Sequence, residues 1–468
     1  MALGDEGMKS VRFMLHCGAA LSALAWSTAA LAQTAPDPAP KPAEEAAAEP
    51  AAEAAPEPPP PAPPPTISDQ IGAGKLILEV RARYENVDQT RTATLRDEAN
   101  AFTVRTRFGW ETAEFKGVKG LIEFEDVRQL GSEHYAVNVP GVATAPLNGA
   151  DKARYPIVND PDVTELNRAQ LTWTPSAALQ VTAGRQRILL DDQRFVGNVG
   201  WRQDEQTFDA IRTDVALGRF KATYAYVTHI NRVLGELRDW DSDSHLFNAT
   251  WSPAEALRVQ GFVYALDFGN SAANSSITKG VKASGKTWLG LYQLAYNATY
   301  AKQSDYRHNT PNFELDYYGA DLAGTFDIYT VKVSYESLEG DGTRGFTTPL
   351  ATTHAFNGWA DAFVSPGGNK SFVDGLEDLN LSLNVKPRFR RTYFFNSDIV
   401  VRYHDFDDQR TGADLGHEWD VQFTAAITTK LSIQLKYADF QRVTTVPVGT
   451  ATPPAARTKA WFTLEYKF

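Results

Sequence analysis

Two stretches near the start of the chain place arginine at every second position. Arg81 and Arg83 lie in Lys75–Asn86, and Arg105 and Arg107 lie in Ala101–Glu111. Arg168 and Arg402 hold the polar positions of similar stretches further on. A guanidinium stays charged at any physiological pH and grips a carboxylate through two parallel hydrogen bonds. A series of them in a low-dielectric passage would draw anions in. Acids share these positions: Glu79, Glu85, Glu111, Glu123, Glu125 and Glu418. Two readings follow. Arg opposite Glu on neighbouring strands makes a cross-strand lattice that stiffens a wall, or some arginines stay unpaired and line an anion path.

Catalytic chemistry has less to stand on. The eight histidines are scattered. His404 adjoins Asp405, and His229 closes another stretch, but no Ser–His–Asp arrangement follows from the spacing. We therefore expect no catalytic residues and no cofactor. Asp239, Asp241, Asp243 and His245 share one parity, and calcium takes such carboxylates. The glycine and distal glutamate of an EF-hand loop are missing, so a solvated surface loop without metal is expected. The single cysteine, Cys17, lies in a segment expected to be removed.

The elements that carry these residues have period two. In "KLILEVRARYEN" (Lys75–Asn86), Leu76, Leu78, Val80, Ala82 and Tyr84 face one way, and Glu79, Arg81, Arg83 and Glu85 the other. About 18 such segments recur some ~22 residues apart, most with about the 10 residues a tilted strand needs to cross a membrane. Residues 205–216 lose clean alternation and 276–283 are polar. Short connections are expected at Thr112–Gly117, Thr174–Ala177, Leu217–Arg219, Ser252–Ala256, Ser284–Lys286, Ala323–Asp327, Lys386–Thr392 and Thr428–Lys430. Long ones are expected at 129–162, 187–204, 229–243, 302–313, 338–375, 405–417 and 441–457. Short turns on one side and long loops on the other mark an outer-membrane barrel, with the short turns in the periplasm. Trp110, Trp173 and Trp251 close strands at one depth, as an interfacial girdle does. The fold expected is all-β, a transmembrane antiparallel up-and-down barrel. At this strand number side chains cannot fill the interior, and a channel or plug results. Loops 129–162 and 338–375 are the candidates for folding inward.

Three regions are expected. Residues 1–32 read as a secretory signal, with Lys9 and Arg12, an apolar run and "ALA" before Gln33. Residues 33–71 read as a disordered, acidic Pro/Ala-rich periplasmic segment. Half of the 26 prolines fall in Thr34–Pro65, with six acids against one lysine. It would serve as a spacer or as a tether to the cell wall or a periplasmic partner. Residues 72–468 form the barrel. Of the formal charge of −11, residues 1–33 contribute 0 and residues 34–70 contribute −7 + 1 = −6, leaving −5 for the rest. Neither part is basic, so nucleic acid is not an expected partner.

Gly184–Arg212, "GRQRILLDDQRFVGNVGWRQDEQTFDAIR", and Ser334–Phe363, "SYESLEGDGTRGFTTPLATTHAFNGWADAF", are loop-rich stretches that membrane alternation does not dictate. With "ELNRAQLTW" (Glu165–Trp173) and the last strand, they resemble the alginate-export family of outer-membrane barrels over essentially 72–468. The resemblance implies an 18-stranded monomer whose arginine-lined pore passes a polyuronate outward. It adds Arg194, Arg202 and Arg212 to the candidate path of Arg81, Arg83, Arg105, Arg107, Arg168, Arg402, Glu79, Glu123 and Glu125. It suggests Arg185, Arg187, Asp191, Asp192 and Trp201, near Asp209, as rim or loop candidates. Asn357, Trp359 and Asp361 would shape or gate the mouth. The acidic tail and the mixed Arg/Glu lumen depart from the family pattern.

The function expected is passive passage of an alginate-like polyuronate or a related acidic solute. The alternatives are a general or nutrient-uptake porin for small organic anions or sugars, a barrel hydrolase, and a structural anchor. Expected partners are outer-membrane lipid and lipopolysaccharide, the acidic cargo, and the outer-membrane assembly machinery. The closing strand "KAWFTLEYKF" (Lys459–Phe468) would pair with Lys75–Asn86, and Phe468 would serve as the assembly signal.

Overall fold

Alternating side chains commit nearly all of the barrel region to strands, because only a pleated strand sends Leu78 and Glu79 to opposite faces. A computed structural model describes residues 66–91, 94–131, 133–138, 145–309, 311–364, 370–389, 394–445 and 449–468. The expected signal, 1–32, and most of the proline-rich segment lie outside the described residues. Described residues 66–71 are ordered: Thr66 caps a short helix α1 (Ile67–Gly72) through a reciprocal bond with Asp69. The expected boundary at residue 72 therefore moves back to the Thr-x-x-Asp signal.

The strands are β1 Lys75–Gln89, β2 Glu98–Glu111, β3 Val118–Gln129, β4 Val163–Ser176, β5 Leu179–Gln186 and β6 Thr207–Leu217. They continue as β7 Phe220–Asn231, β8 Trp240–Ala254, β9 Leu257–Leu266, β10 Ser276–Leu289, β11 Tyr292–Asp305 and β12 Glu314–Phe326. The last six are β13 Tyr329–Leu338, β14 Leu376–Val385, β15 Phe395–Asp407, β16 Asp414–Ala426, β17 Leu431–Arg442 and β18 Arg457–Lys467. They form one 18-stranded antiparallel sheet that closes on itself. The seam pairs Val80 with Tyr466, Tyr84 with Phe462 and Asn86 with Ala460, as expected of the last strand. Closure leaves no strand edge, which is the condition for standing in lipid. Among the described residues no helix is long and apolar enough to cross a membrane. The outward faces carry the apolar side chains instead: Leu171, Ile211, Val281 and Leu322 are all exposed. Trp173 and Trp251 are half exposed at the short-turn end, and Trp110 donates its indole N–H to the Ile71 carbonyl at 2.9 Å.

Short and long connections alternate as expected, with corrections. Ser284–Lys286 is not a turn. It continues β10, paired with Asn297–Ala295, and the chain reverses at Gly290–Leu291. Gly290 supplies the positive φ (62°) that the turn requires. Likewise β12 runs through Ala323–Phe326 and turns after it. The polar stretch 276–283 is regular strand whose inward residues, such as Thr278, are buried. Residues 207–217 are strand as well. Their alternation blurs because Phe208 and Ala210 face inward yet are apolar, covered by material inside the barrel.

Phe468 extends the seam, its N–H bonding the Leu78 carbonyl at 2.9 Å while its ring stays exposed. Deleting Phe468 should lower the yield of heat-modifiable barrel in cell envelopes, as scored by gel mobility with and without boiling. Undiminished yield would count against a role in assembly.

Candidate functional site

The lumen is not empty. The inward faces of the upper strands carry Phe262, Tyr264, Tyr317, Phe406, Phe440 and Trp461, positions a wet channel wall would leave polar. Each large apolar side chain gains about 1.5–3 kcal/mol on burial, so such a wall calls for cover. Loops β5–β6 (187–206) and β13–β14 (339–375) supply it. Ile188, Val196, Phe346, Leu350 and Phe363 pack into the same core as the strand aromatics. The loops also bond each other: Gly197 N–H to Leu350 O at 2.8 Å, and Thr352 N–H to Gln193 O at 3.0 Å. Loop 130–162 packs against Val87, Ala99 and Ala101 at the top of β1–β2. Of the two loops expected to fold inward, 338–375 packs into this lumen core, and 187–206 joins it.

Ion pairs hold both loops to the wall. On the β1–β4 side, Arg105 bonds Glu79 and lies 3.2 Å from Glu465, and Arg107 bonds Glu125 and lies 3.2 Å from Glu205. Arg81 pairs with Glu465 at 2.8 Å and donates to the carbonyls of Gly200 and Arg202. Arg168 grips Glu123 through two bonds of 2.8 and 2.6 Å. Arg187 turns inward to Glu205 at 2.6 Å. Burial disfavours the Glu205 charge, but Arg107 and Arg187 outweigh it and bring its pKa down to about 2. Its neighbour Asp204 is buried against the carboxyls of Glu165 and Glu125, and burial, followed by these two acids, raises its pKa well above the usual range.

Two further latches lie nearer the long-loop end. Arg194 donates to Glu336 at 2.5 and 3.2 Å, to Thr348 and to Asn357. Burial opposes the Arg194 charge, but Glu336 outweighs it and the pKa is raised. Asp361 gathers Lys459 at 3.0 Å, Lys370 at 3.3 Å, Arg202 at 3.6 Å and the His354 ring at 3.0 Å. Burial works against this carboxylate, yet His354, Lys459 and Lys370 hold it well below its ordinary range. His354 stacks on Trp201 at 4.2 Å and lies 2.8 Å from Lys436 Nζ through Nε2. Burial first, then Lys436, pushes the His354 pKa well below 6.5 against the pull of Asp361. A neutral ring then accepts from Lys436 and donates Nδ1–H to Asp361. Lys436 also sits 3.6 Å above the Trp359 ring. Gly358 (φ 79°) lets this turn press on β16, where a Cβ would come within 2.3 Å of Glu418 Oε2.

Several expected positions change. Trp201, Asn357, Trp359 and Asp361 lie on loops 187–206 and 339–375, which turn inward, and Asp361 also borders the vestibule at the long-loop end. Asp191 reaches Asn248 at 2.8 Å, and Asp192 reaches Lys282 at 2.6 Å, both against the inner wall. Arg187 is not at the rim either. Arg185 stays on the outward parity at its strand end, paired with Asp209 at 2.8 Å. Arg212 pairs with Asp214 at 2.8 Å. Among the described residues, Arg83, Arg402 and Arg457 have no carboxylate within 4.0 Å. Arg83 lies over Trp201 at 4.1 Å, and Arg402 lies over Trp359 at 5.0 Å. His354, Lys370, Lys436, Lys459 and Glu336 were not anticipated. The aromatics on the polar parity of β9, β15, β17 and β18 were the available signal that something covers them.

A vestibule of about 770 Å³ at the long-loop end is lined by Arg202, Arg232, Arg457 and Lys459 together with Asp239 and Asp361. An inner chamber of about 270 Å³ lies among β10–β15, next to Arg194 and Phe356.

No curated protein matches the sequence. Among solved structures, OccK9 (OpdG) of Pseudomonas aeruginosa superposes with a TM-score of 0.65 at 12% identity, covering 85% of this chain and 100% of that one. OccAB4 of Acinetobacter baumannii gives 0.63 at 12%, over 84% and 98%. OpdK of Pseudomonas aeruginosa, solved with vanillate, gives 0.62 at 12%, over 85% and 99%. At such identity these likenesses establish the barrel fold alone. The alginate export family matches residues 75–328, more than half of the chain. With a closed 18-stranded barrel, an apolar outer face and the family match together, this chain belongs to the alginate export family and is an outer-membrane channel.

Proposed function

We propose that the chain passes small acidic solutes passively, entering through the vestibule and held closed at rest by its two lumen loops. The observation that carries this is the set of guanidiniums without an acid partner: Arg457 at the long-loop end, Arg83 near mid-height and Arg402 at the inner chamber. In this reading the paired arginines serve the wall and the latches, and those without an acid partner line the path. A polyuronate is the family's namesake cargo, but a polymer would need both loops displaced along its whole length. A small acid needs only a local opening between the vestibule and the chamber. The vanillate bound to OpdK is an acid of that scale on a similar barrel. In this reading the short turns and the N-terminal segment face the periplasm, and the acids leave binding weak enough for release.

In planar bilayers under a potassium chloride gradient, the zero-current potential should take the sign of anion preference, and Arg457→Gln should reduce it. Cation preference in the native protein would overturn the proposal. Liposome swelling should be fast in the sodium salt of a monomeric sugar acid and slow in that of an oligouronate. The reverse order would favour polymer passage.

A further inference from the structure

The inner chamber has an uneven distribution of charge. Each of its acids is engaged: Asp192 by Lys282, Asp321 by Lys332, Glu336 by Arg194, Asp378 by His404, and Asp191 by Asn248 and Gln260. Arg402 is the chamber arginine with no acid within 4.0 Å among the described residues, and its Nε has no hydrogen-bond partner. Its strand neighbour Asp420 turns instead to the Trp359 N–H at 3.3 Å and the His404 ring at 3.5 Å. Trp359 fixes the guanidinium plane from one side. Among the described residues, the chamber wall also carries two amide acceptors with no donor, the Oδ1 atoms of Asn297 and Asn380, beside the Ser334 hydroxyl that bonds Asp321. A buried acceptor without a donor is costly, which is why native interiors rarely keep one.

We propose that this chamber is a binding site for a small hydroxylated monocarboxylate, with Arg402 holding the carboxylate and Asn297, Ser334 and Asn380 accepting from its hydroxyls. A guanidinium with no carboxylate within 4.0 Å offers a bidentate seat for one. The orphaned acceptors call for hydroxyl donors, and a volume of about 270 Å³ holds one sugar-acid-sized molecule, not a chain. The site adjoins Trp359 of the inward loop and His404 of the wall. It would make passage saturable. The proposal deepens the reading of the chain as an anion channel and rests on it.

The test is calorimetric titration of the full chain in detergent micelles with sodium D-gluconate, D-glucose and sodium propionate. Gluconate should bind saturably, and glucose and propionate at least about tenfold more weakly. Arg402→Gln should weaken gluconate binding about tenfold or more, with folding checked by heat-modifiable migration. Asn380→Leu, which leaves every ion pair intact, should weaken gluconate binding while leaving the weak propionate signal unchanged. Equal gluconate affinity in native and Arg402→Gln protein, or propionate binding as tightly as gluconate, overturns the proposal. An anion-preferring channel that shows no saturable gluconate binding overturns the chamber site and leaves the channel reading standing. Cation preference alongside saturable binding does the opposite.

Discussion

Replacing Glu336 with glutamine should open the channel. Arg194 is 2% exposed and spends its guanidinium on Glu336, Thr348 and Asn357. Tyr317 and Asn357 also donate to the Glu336 carboxylate, each at 2.6 Å. Glutamine keeps the shape and removes the charge, leaving a buried cation unpaired at a cost of about 3–5 kcal/mol. The barrel has little reason to fail, since its ladder runs through backbone bonds. The cost falls on the seat of loop 187–206, whose release exposes the cation to water. The closed-to-open ratio should fall about a hundredfold or more. Single-channel recording should show larger and longer openings. The double variant Arg194→Met with Glu336→Met removes both charges and should restore closure, because an apolar pair of similar volume replaces the ion pair with little loss. Unchanged conductance in Glu336→Gln would show that the Arg194 latch does not hold the loop.

Acid should weaken the other latch. His354 is buried against Trp201 and faces Asp361 and Lys370 from its own loop, Lys436 from β17, Lys459 from β18 and Arg202 from loop 187–206. Its pKa in the closed state is well below 6.5, chiefly through burial. A released loop binds a proton near 6.5, and the closed loop does not. Closure by this histidine is therefore complete above about 6.5 and erodes below it by about 1.4 kcal/mol per pH unit, until the lowered pKa is reached. Asp361 does not interfere in this window. Its pKa is depressed, so its support is lost only as pH falls through a value well below 3.8. Asp204 acts in the opposite sense on loop 187–206. Its raised pKa makes its seat more stable as pH falls through that value. The histidine's share is the difference between native protein and His354→Gln, which keeps an acceptor for Lys436 but does not titrate. Open probability in the native channel should rise between pH 6.5 and 4.5 relative to the variant, by up to about a hundredfold. Parallel pH profiles would exclude His354 as the sensor.

The strands were legible because their signal is local. Lys75–Asn86 shows its two faces without reference to any other residue, and a barrel obliges every strand to repeat that contrast between lipid and lumen. Ser284–Lys286 misled for a related reason. Small and polar residues suggest a turn, yet on a lumen face they are ordinary wall. The Arg/Glu lattice of Arg81, Arg105, Arg107 and Glu125 was half legible. Alternation sets the face, but register sets the partner, and Arg105 finds Glu465 across the seam, 360 residues away.

The amino-acid sequence alone determined the closed barrel, its seam, the lipid-facing and lumen-facing side of nearly every strand residue, and the family. The tertiary structure decided which guanidiniums face a carboxylate and which do not, and which loops fill the lumen. Loop conformation carries no short period, and Asp361 acquires its role only when Lys370 and His354 of its own loop, Lys459 of β18 and Arg202 of loop 187–206 converge on it. Such convergence depends on register and on loops turning inward to cover Phe262, Phe406 and Trp461. That is a matter of apolar surface meeting apolar surface over long stretches of chain, which no local spacing encodes.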